Sequence, residues 1–141
     1  MSIDKNFYFI LIIFVIYLAI DYNLIVNVFG LNKNWNNFLI NIVPQEYVTE
    51  GQVKFNVIFG LLGWLSVAIG IYYFLYEKLD SVLNVLFYSL IFTIVVYGTF
   101  DMTLLAILPN YPYQLALLDM LNGLLSITMT SFVLYIIKKI N

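Results

Sequence analysis

Residues 97–123 read YGTFDMTLLAILPNYPYQLALLDMLNG, two apolar segments joined by a short turn. Pro109 and Pro112 flank that turn and leave only Asn110 and Tyr111 between them. Because proline ends helices cleanly, the pattern predicts a tight hairpin of two helices. Both arms continue as long apolar segments, so we expect the hairpin to lie within a membrane.

The rest of the chain is equally apolar. It has 141 residues, of which 63% are hydrophobic and 10% are charged, whereas a soluble domain carries about 25% charged residues. A surface with so few charges must face lipid, so we expect an integral membrane protein with the bilayer as its partner. The six lysines are scattered or terminal and arginine is absent, so no basic patch exists to bind nucleic acid.

The chain contains no cysteine and no histidine. Thiol nucleophiles, disulfides, imidazole bases and most zinc or haem ligation are therefore excluded. We expect no metal site and no cofactor, and any acid–base chemistry must use Asp, Glu, Tyr or Lys side chains.

Four segments are long and apolar enough to cross a bilayer, at about 7–28, 55–76, 82–108 and 113–137. The sequence therefore predicts an all-α fold, an integral membrane four-helix bundle that forms a single transmembrane domain over residues 1–141. The one long connection, about 29–54, contains Trp35 and the apolar run 38–40. We expect a short interfacial helix there with Trp35 at headgroup level, the alternative being an ordinary loop.

Lysine positions predict the orientation. An even number of crossings places both termini on one side of the membrane, with four of the six lysines: Lys5, Lys78, Lys138 and Lys139. The other side has Lys33 and Lys54. By the positive-inside rule, we expect both termini to be cytoplasmic.

Three carboxylates lie inside these spans: Asp21, Asp101 and Asp119. Counted inward from the helix ends, each lies roughly 9–12 Å deep in the outer half of the bilayer. A buried acid there costs about 2–3 kcal/mol or more and usually faces the bundle interior or a wet cavity. Three separate spans thus bring an acid to the same depth, which predicts an acidic site.

Polar stripes accompany the acids. Asn122, Ser126 and Thr130 share a helical face with Asp119, Tyr97 lies one turn before Asp101, and no basic residue lies within the spans. The acids must then be protonated, bind a cation or be reached by water; alternatively, each is an isolated interhelical hydrogen-bonding group. The candidate ligand-binding residues are the three acids with three orienting residues: Asp21, Asp101, Asp119, Tyr97, Thr103 and Asn122.

The segment from Tyr97 to Thr103, followed by Tyr111-Pro112, Asp119 and Gly123, resembles a family of small bacterial membrane proteins, domain of unknown function 2177. The pair Ile20-Asp21 fits the same pattern. The family pattern differs at four positions, where this chain has Phe100 for Tyr, Leu104 for Asn, Tyr111 for Trp and Asn122 for Trp. The resemblance implies four helices in a membrane and no particular activity.

Three functions fit these observations. The first is binding or translocation of protons, a small cation or a small cationic solute at an outward-opening acidic pocket, where a channel would need a homo-oligomer of so small a unit. The second is a membrane-embedded acid–base enzyme, an isomerase or cyclase with a lipid or isoprenoid ligand. The third is a structural or assembly protein. The sequence does not decide whether the protein is an enzyme.

Overall fold

Helices form most of the computed structural model, which describes the backbone of residues 3–140 and the side chains of residues 6–140. The Lys5 side chain used for the orientation, and the ends of the expected domain at residues 1, 2 and 141, lie outside the described residues. Six α-helices follow one another: α1 (Ile3–Asn23), α2 (Leu31–Leu39), α3 (Val57–Gly70), α4 (Val82–Thr93), α5 (Thr99–Ile107) and α6 (Tyr113–Ile140).

Three π-helical turns extend or join four of these helices. A π-helical turn over Leu24–Val28 continues α1, and another over Ile71–Leu75 continues α3 into a 3₁₀ turn at Tyr76–Lys78. A third, Ile94–Gly98, joins α4 to α5 without a break. The result is four uninterrupted apolar helices, so the predicted all-α membrane fold is confirmed.

These four helices are the spans: span 1 (Asn6–Val28), span 2 (Val57–Lys78), span 3 (Val82–Ile107) and span 4 (Tyr113–Ile140). Spans 2 and 4 end later than the residues 76 and 137 expected from hydropathy, since Lys78, Lys138 and Lys139 are accommodated in their last turns. Side-chain caps begin two of the spans. The Asn56 side-chain oxygen accepts hydrogen bonds from the first turn of α3, and the Ser81 hydroxyl does so for α4.

The long connection contains the expected short helix, α2, which begins after Gly30 in a left-handed conformation (φ 58°). A small antiparallel hairpin that the sequence analysis missed follows it, formed by Val48–Thr49 and Gln52–Val53 around a turn with positive φ at Glu50 and Gly51. Asn36 ties α2 to this hairpin, because its side chain accepts from the Val53 amide at 2.8 Å. The position of α2 at a membrane interface stays a prediction.

Span 4 is the centre of the bundle and packs against spans 1 and 3 and against α2. Span 2 packs along span 1 and approaches span 3 only near its end, where Gly70 lies against the ring of Phe92. We call the end of the bundle with α2 and the turn at residues 108–112 the α2 side, and the end with Ile140 and the turn at residues 79–81 the terminus side. Most large apolar side chains on the outer faces are exposed, as lipid contact requires.

Candidate functional site

The carboxylate of Asp21 is the meeting point of all four spans. It is 1% exposed and accepts a hydrogen bond at 2.7 Å from the indole nitrogen of Trp64 on span 2. Its second oxygen accepts from the Asn122 amide on span 4 at 2.9 Å and from the Tyr97 hydroxyl on span 3 at 3.5 Å. Three neutral donors, one from each of the other spans, therefore surround this acid.

Hydroxyl groups extend this cluster toward the terminus side. The Tyr17 hydroxyl, which is fully buried, shares a hydrogen bond with that of Tyr97. One turn along span 4, the Ser126 hydroxyl donates to the backbone oxygen of Asn122 at 2.9 Å and lies next to both tyrosine hydroxyls. The side-chain oxygen of Asn122 is buried and has no partner among the described residues.

Gly123 makes room for the Tyr97 ring. A Cβ atom at residue 123 would collide with three atoms of that ring. The absence of a side chain therefore allows span 3 to place an aromatic ring flat on span 4, with its hydroxyl within reach of Asp21. Glycine at this position is needed for close approach of two helices, as is common in membranes.

Asp101 forms a second polar pair nearer the α2 side. It is fully buried, and one of its oxygens accepts a hydrogen bond at 2.9 Å from the hydroxyl of Tyr111 in the hairpin turn. The other carboxylate oxygen has no hydrogen-bond partner among the residues that the structure describes. Burial, together with the neighbouring Asp101 carboxylate, raises the pKa of the Tyr111 phenol, so Tyr111 acts as a neutral donor.

Asp119 lies opposite Asp101. Spans 3 and 4 are antiparallel and touch where Tyr97 meets Gly123. Asp101 is four residues after Tyr97 and Asp119 is four residues before Gly123, so the two acids lie at one level. Asp119 is half-buried, and Asp101 and Asp21 are close enough to act on it electrostatically. The three acids thus form two neighbouring levels and not a single cluster.

The structure brings five of the six candidate residues to one side of the bundle interior, listed from the α2 side inward: Asp101, Asp119, Asp21, Tyr97 and Asn122. Thr103 does not join them, which corrects the expectation that it orients the acids. It is exposed, and its hydroxyl donates to the backbone oxygen of Thr99 at 2.7 Å. A residue two positions after Asp101 lies about 200° around the helix, so it faces away.

Sequence reasoning missed two partners of the acids. Trp64 lies on α3, which contains no acid, so the sequence pattern did not indicate that its indole would donate to one. The sequence places Tyr111 in the turn of the hairpin. Its hydrogen bond to Asp101 could not be predicted, because it forms only when the turn brings the tyrosine side chain back onto span 3.

The α2 helix packs on the hairpin turn beside Asp101, and the expected outward-opening pocket stays a prediction. Trp35 and Phe38 of α2 pack on the Tyr111 ring, with centroid separations of 5.6 and 5.2 Å. Leu31 and Leu115 complete this apolar cover, both at most 4% exposed. The apolar face of α2 thus finds its packing partners on the bundle, on the same side as Asp101 and Asp119.

Two cavities in the described part of the chain have linings that include none of the acids. One, of about 440 Å³, lies between α2 and the start of span 4 and is lined by residues such as Asn37 and Gln114. The other, of about 270 Å³, lies between spans 2 and 3 near Phe74 and Tyr88. Within residues 6–140, no group of three acidic side chains is close enough to hold a metal ion.

Comparison with known protein families matches residues 6–136 to a family described as a predicted membrane protein, domain of unknown function 2177. The matched range includes every residue of the site and confirms the resemblance in the sequence. No curated protein and no solved structure matches the chain.

Proposed function

This chain belongs to the family of predicted membrane proteins called domain of unknown function 2177, and we propose that it binds protons at its buried acids and passes them across the bilayer. Asp101 and Asp119 are the proton-exchanging pair, and Asp21 is the next acceptor along the route. Tyr97 and Asn122 position Asp21. The protein is an integral membrane protein, so such a route would lie inside the bundle and would need no second copy.

The observation that carries this proposal is the unpartnered oxygen of Asp101. The side chain is fully buried, one oxygen accepts from Tyr111, and the other has no donor within the described residues. An ionised oxygen without a donor in an apolar interior costs several kcal/mol, on the order of 2–7 for an unbonded polar group alone. A proton shared with Asp119 removes the charge and supplies a hydrogen bond, and it can be released again when the environment changes.

The surroundings of Asp21 support a different role for this acid. Three donors from Trp64, Asn122 and Tyr97 stabilise its negative charge without neutralising it. No lysine bonds to any of the three acids in the described part of the chain. A carboxylate held in this way can accept a proton from the Asp101–Asp119 level and pass it to the hydroxyls of Tyr97 and Tyr17.

The geometry favours protons over the other cations considered. A metal ion needs several oxygen ligands around one point, and within residues 6–140 no group of three acids could hold one. A cationic solute needs a cavity, and neither of the two cavities described above is lined by an acid. A proton needs only a sequence of groups at hydrogen-bond distance. In the orientation predicted from the lysines, protons would enter from the outside past α2.

Liposomes that contain the purified protein and a trapped pH-sensitive dye test this function, with valinomycin and a potassium gradient as driving force. We expect proton flux above that of empty liposomes, reduced by about 10²-fold or more in Asp101→Asn and Asp119→Asn. Thr103→Val is the matched control, because Thr103 is exposed and bonds only to its own helix. Wild-type flux equal to that of empty liposomes, or full flux in both Asn variants, would refute the proposal.

Lipid analysis of expressing cells, combined with the flux measurement, separates the alternatives. A changed lipid profile in expressing cells without proton flux would favour the acid–base enzyme. Asn variants that lose stability but differ in neither flux nor lipids would favour the structural role.

A further inference from the structure

Three hydroxyl groups in the terminus-side half of the bundle are buried without partners. The side chains of Ser89, Thr130 and Ser131 are 0% exposed, and their oxygens have no hydrogen-bond partner among the described residues. Hydroxyls in helices usually bond to a backbone oxygen one turn earlier. Thr93 and Ser66 do so, at 2.8 Å each.

The register between spans 3 and 4 places these three hydroxyls at one level. Eight residues from the Tyr97–Gly123 contact toward the terminus side, span 3 carries Ser89 and span 4 carries Ser131. The distance along the helices is about 12 Å. Spans 3 and 4 pack closely over this length, and all three side chains are buried within the bundle.

Polar groups also occupy the space between this level and Asp21. The Tyr17 and Ser126 hydroxyls lie on the terminus side of Asp21. On span 3, the Thr93 hydroxyl lies one turn farther toward the terminus side than Tyr97. All three side chains are at most 3% exposed. We call this row of buried polar side chains, which has apolar neighbours such as Ile13 and Ile127, the polar seam. Burying each of its polar groups costs more than burying an apolar side chain would.

We propose that Ser89, Thr130 and Ser131 bind one or two buried water molecules, which extend the proton route from Asp21 through Tyr17, Ser126 and Thr93 toward the terminus side. Buried water typically makes about three hydrogen bonds to otherwise unpaired polar groups, and this level offers three such groups. Each hydroxyl or water on the route accepts one proton and releases another, so no group is changed after a passage. The proton route rests on the function proposed above, whereas the hydration does not.

The seam ends at an apolar layer on the terminus side. Val85 and Leu134 lie one turn beyond Ser89 and Ser131. Leu75 near the end of span 2 and Leu79 of the following turn pack in the same cluster, and all four are at most 1% exposed. The water-binding level is therefore the last polar step before the layer, and passage to the terminus side requires this layer to open.

The first experiment compares proton flux and stability in the same variants. We expect the double variant Ser89→Ala/Ser131→Ala, and Thr130→Val, to lose about tenfold or more of the flux. Their unfolding temperature should stay close to that of the wild-type protein, because each hydroxyl is removed together with the water that it binds. Ser66→Ala and Thr103→Val remove hydroxyls that are outside the seam and should change neither quantity. Full flux in both seam variants overturns the extension of the route and leaves the acids as the proton site.

The second experiment measures hydration without using flux. Solid-state NMR of the protein in bilayers can follow magnetisation transfer from water to the Thr130 and Ser131 side chains. We expect transfer about as fast as to Asp21 and faster than to Leu134 or Ile127. Transfer as slow as to Leu134 overturns the proposal. If the wild-type protein carries no protons, this measurement still decides whether the hydroxyls bind water, so the two proposals fail separately.

Discussion

Gly123 lies directly under the ring of Tyr97, and this contact fixes the register of spans 3 and 4. From it follow the pairing of Asp101 with Asp119 on the α2 side and of Ser89 with Ser131 on the terminus side. The same contact brings the Tyr97 hydroxyl to Asp21. One glycine therefore sets the relative position of most of the polar groups in the bundle.

Replacement of this glycine should be costly. In Gly123→Ala, the new Cβ collides with the Tyr97 ring, so we expect a loss of about 1–3 kcal/mol in unfolding free energy, as for other overpacked cores. Gly63→Ala is the matched control, since nothing lies within 4 Å of a Cβ there. The control should gain about 0.5–1 kcal/mol from helix propensity. Denaturant titration in detergent micelles, followed by circular dichroism, compares the two, and equal stabilities would contradict the proposed register.

Asparagine at the acids should reveal their different surroundings. Asp21→Asn turns an acceptor into a donor that faces the donors of Trp64 or Asn122, so at least one hydrogen bond is lost, and we expect a cost of about 1–3 kcal/mol. Asp101→Asn keeps the oxygen that accepts from Tyr111 and replaces only the unpartnered one. The new amide can donate to Asp119 in place of the shared proton, so we expect a smaller loss for Asp101→Asn than for Asp21→Asn. The same titration measures both variants, and a larger loss in Asp101→Asn would contradict these assignments.

The fold follows from the sequence because hydropathy alone identifies spans. Four long apolar segments and two prolines leave few alternatives to a bundle of four helices. The sequence analysis missed the β-hairpin at Glu50 and Gly51, because each of its strands has only two residues and shows no alternating pattern. The π-helical turns, such as Ile94–Gly98, are equally invisible, since they arise from packing and not from local preference.

The site was predictable only where helical spacing carries information. Tyr97 and Asn122 share faces with Asp101 and Asp119, so their inward orientation could be derived. Thr103 was included by proximity in sequence, although a separation of two residues places it on the opposite face. Trp64 could not be found, because which face of span 2 meets Asp21 depends on the packing of spans 1 and 2.

The raised pKa of Tyr111 makes a prediction about alkaline stability. Burial raises the pKa of the Tyr111 phenol in the folded protein above its ordinary value of 10.0, which applies to the unfolded chain. The stabilising effect is therefore fully present below pH 10 and is lost as the pH rises further. We expect the wild-type protein to lose more unfolding free energy than Tyr111→Phe between pH 9 and about 11.5. Denaturant titrations at each pH measure the difference, and parallel curves for the two proteins would contradict a buried neutral Tyr111.

The cover formed by α2 can be tested with the intrinsic fluorescence of the chain, which contains only Trp35 and Trp64. In Trp35→Phe and Trp35→Ala, all tryptophan emission comes from Trp64, whose indole nitrogen bonds to Asp21. Phenylalanine should still pack on Tyr111, whereas alanine leaves a gap in the cover beside Phe38. We expect acrylamide in the water phase to quench Trp64 more strongly in Trp35→Ala than in Trp35→Phe. Equal quenching in liposomes would mean that α2 does not control access to the acids from its side of the bundle.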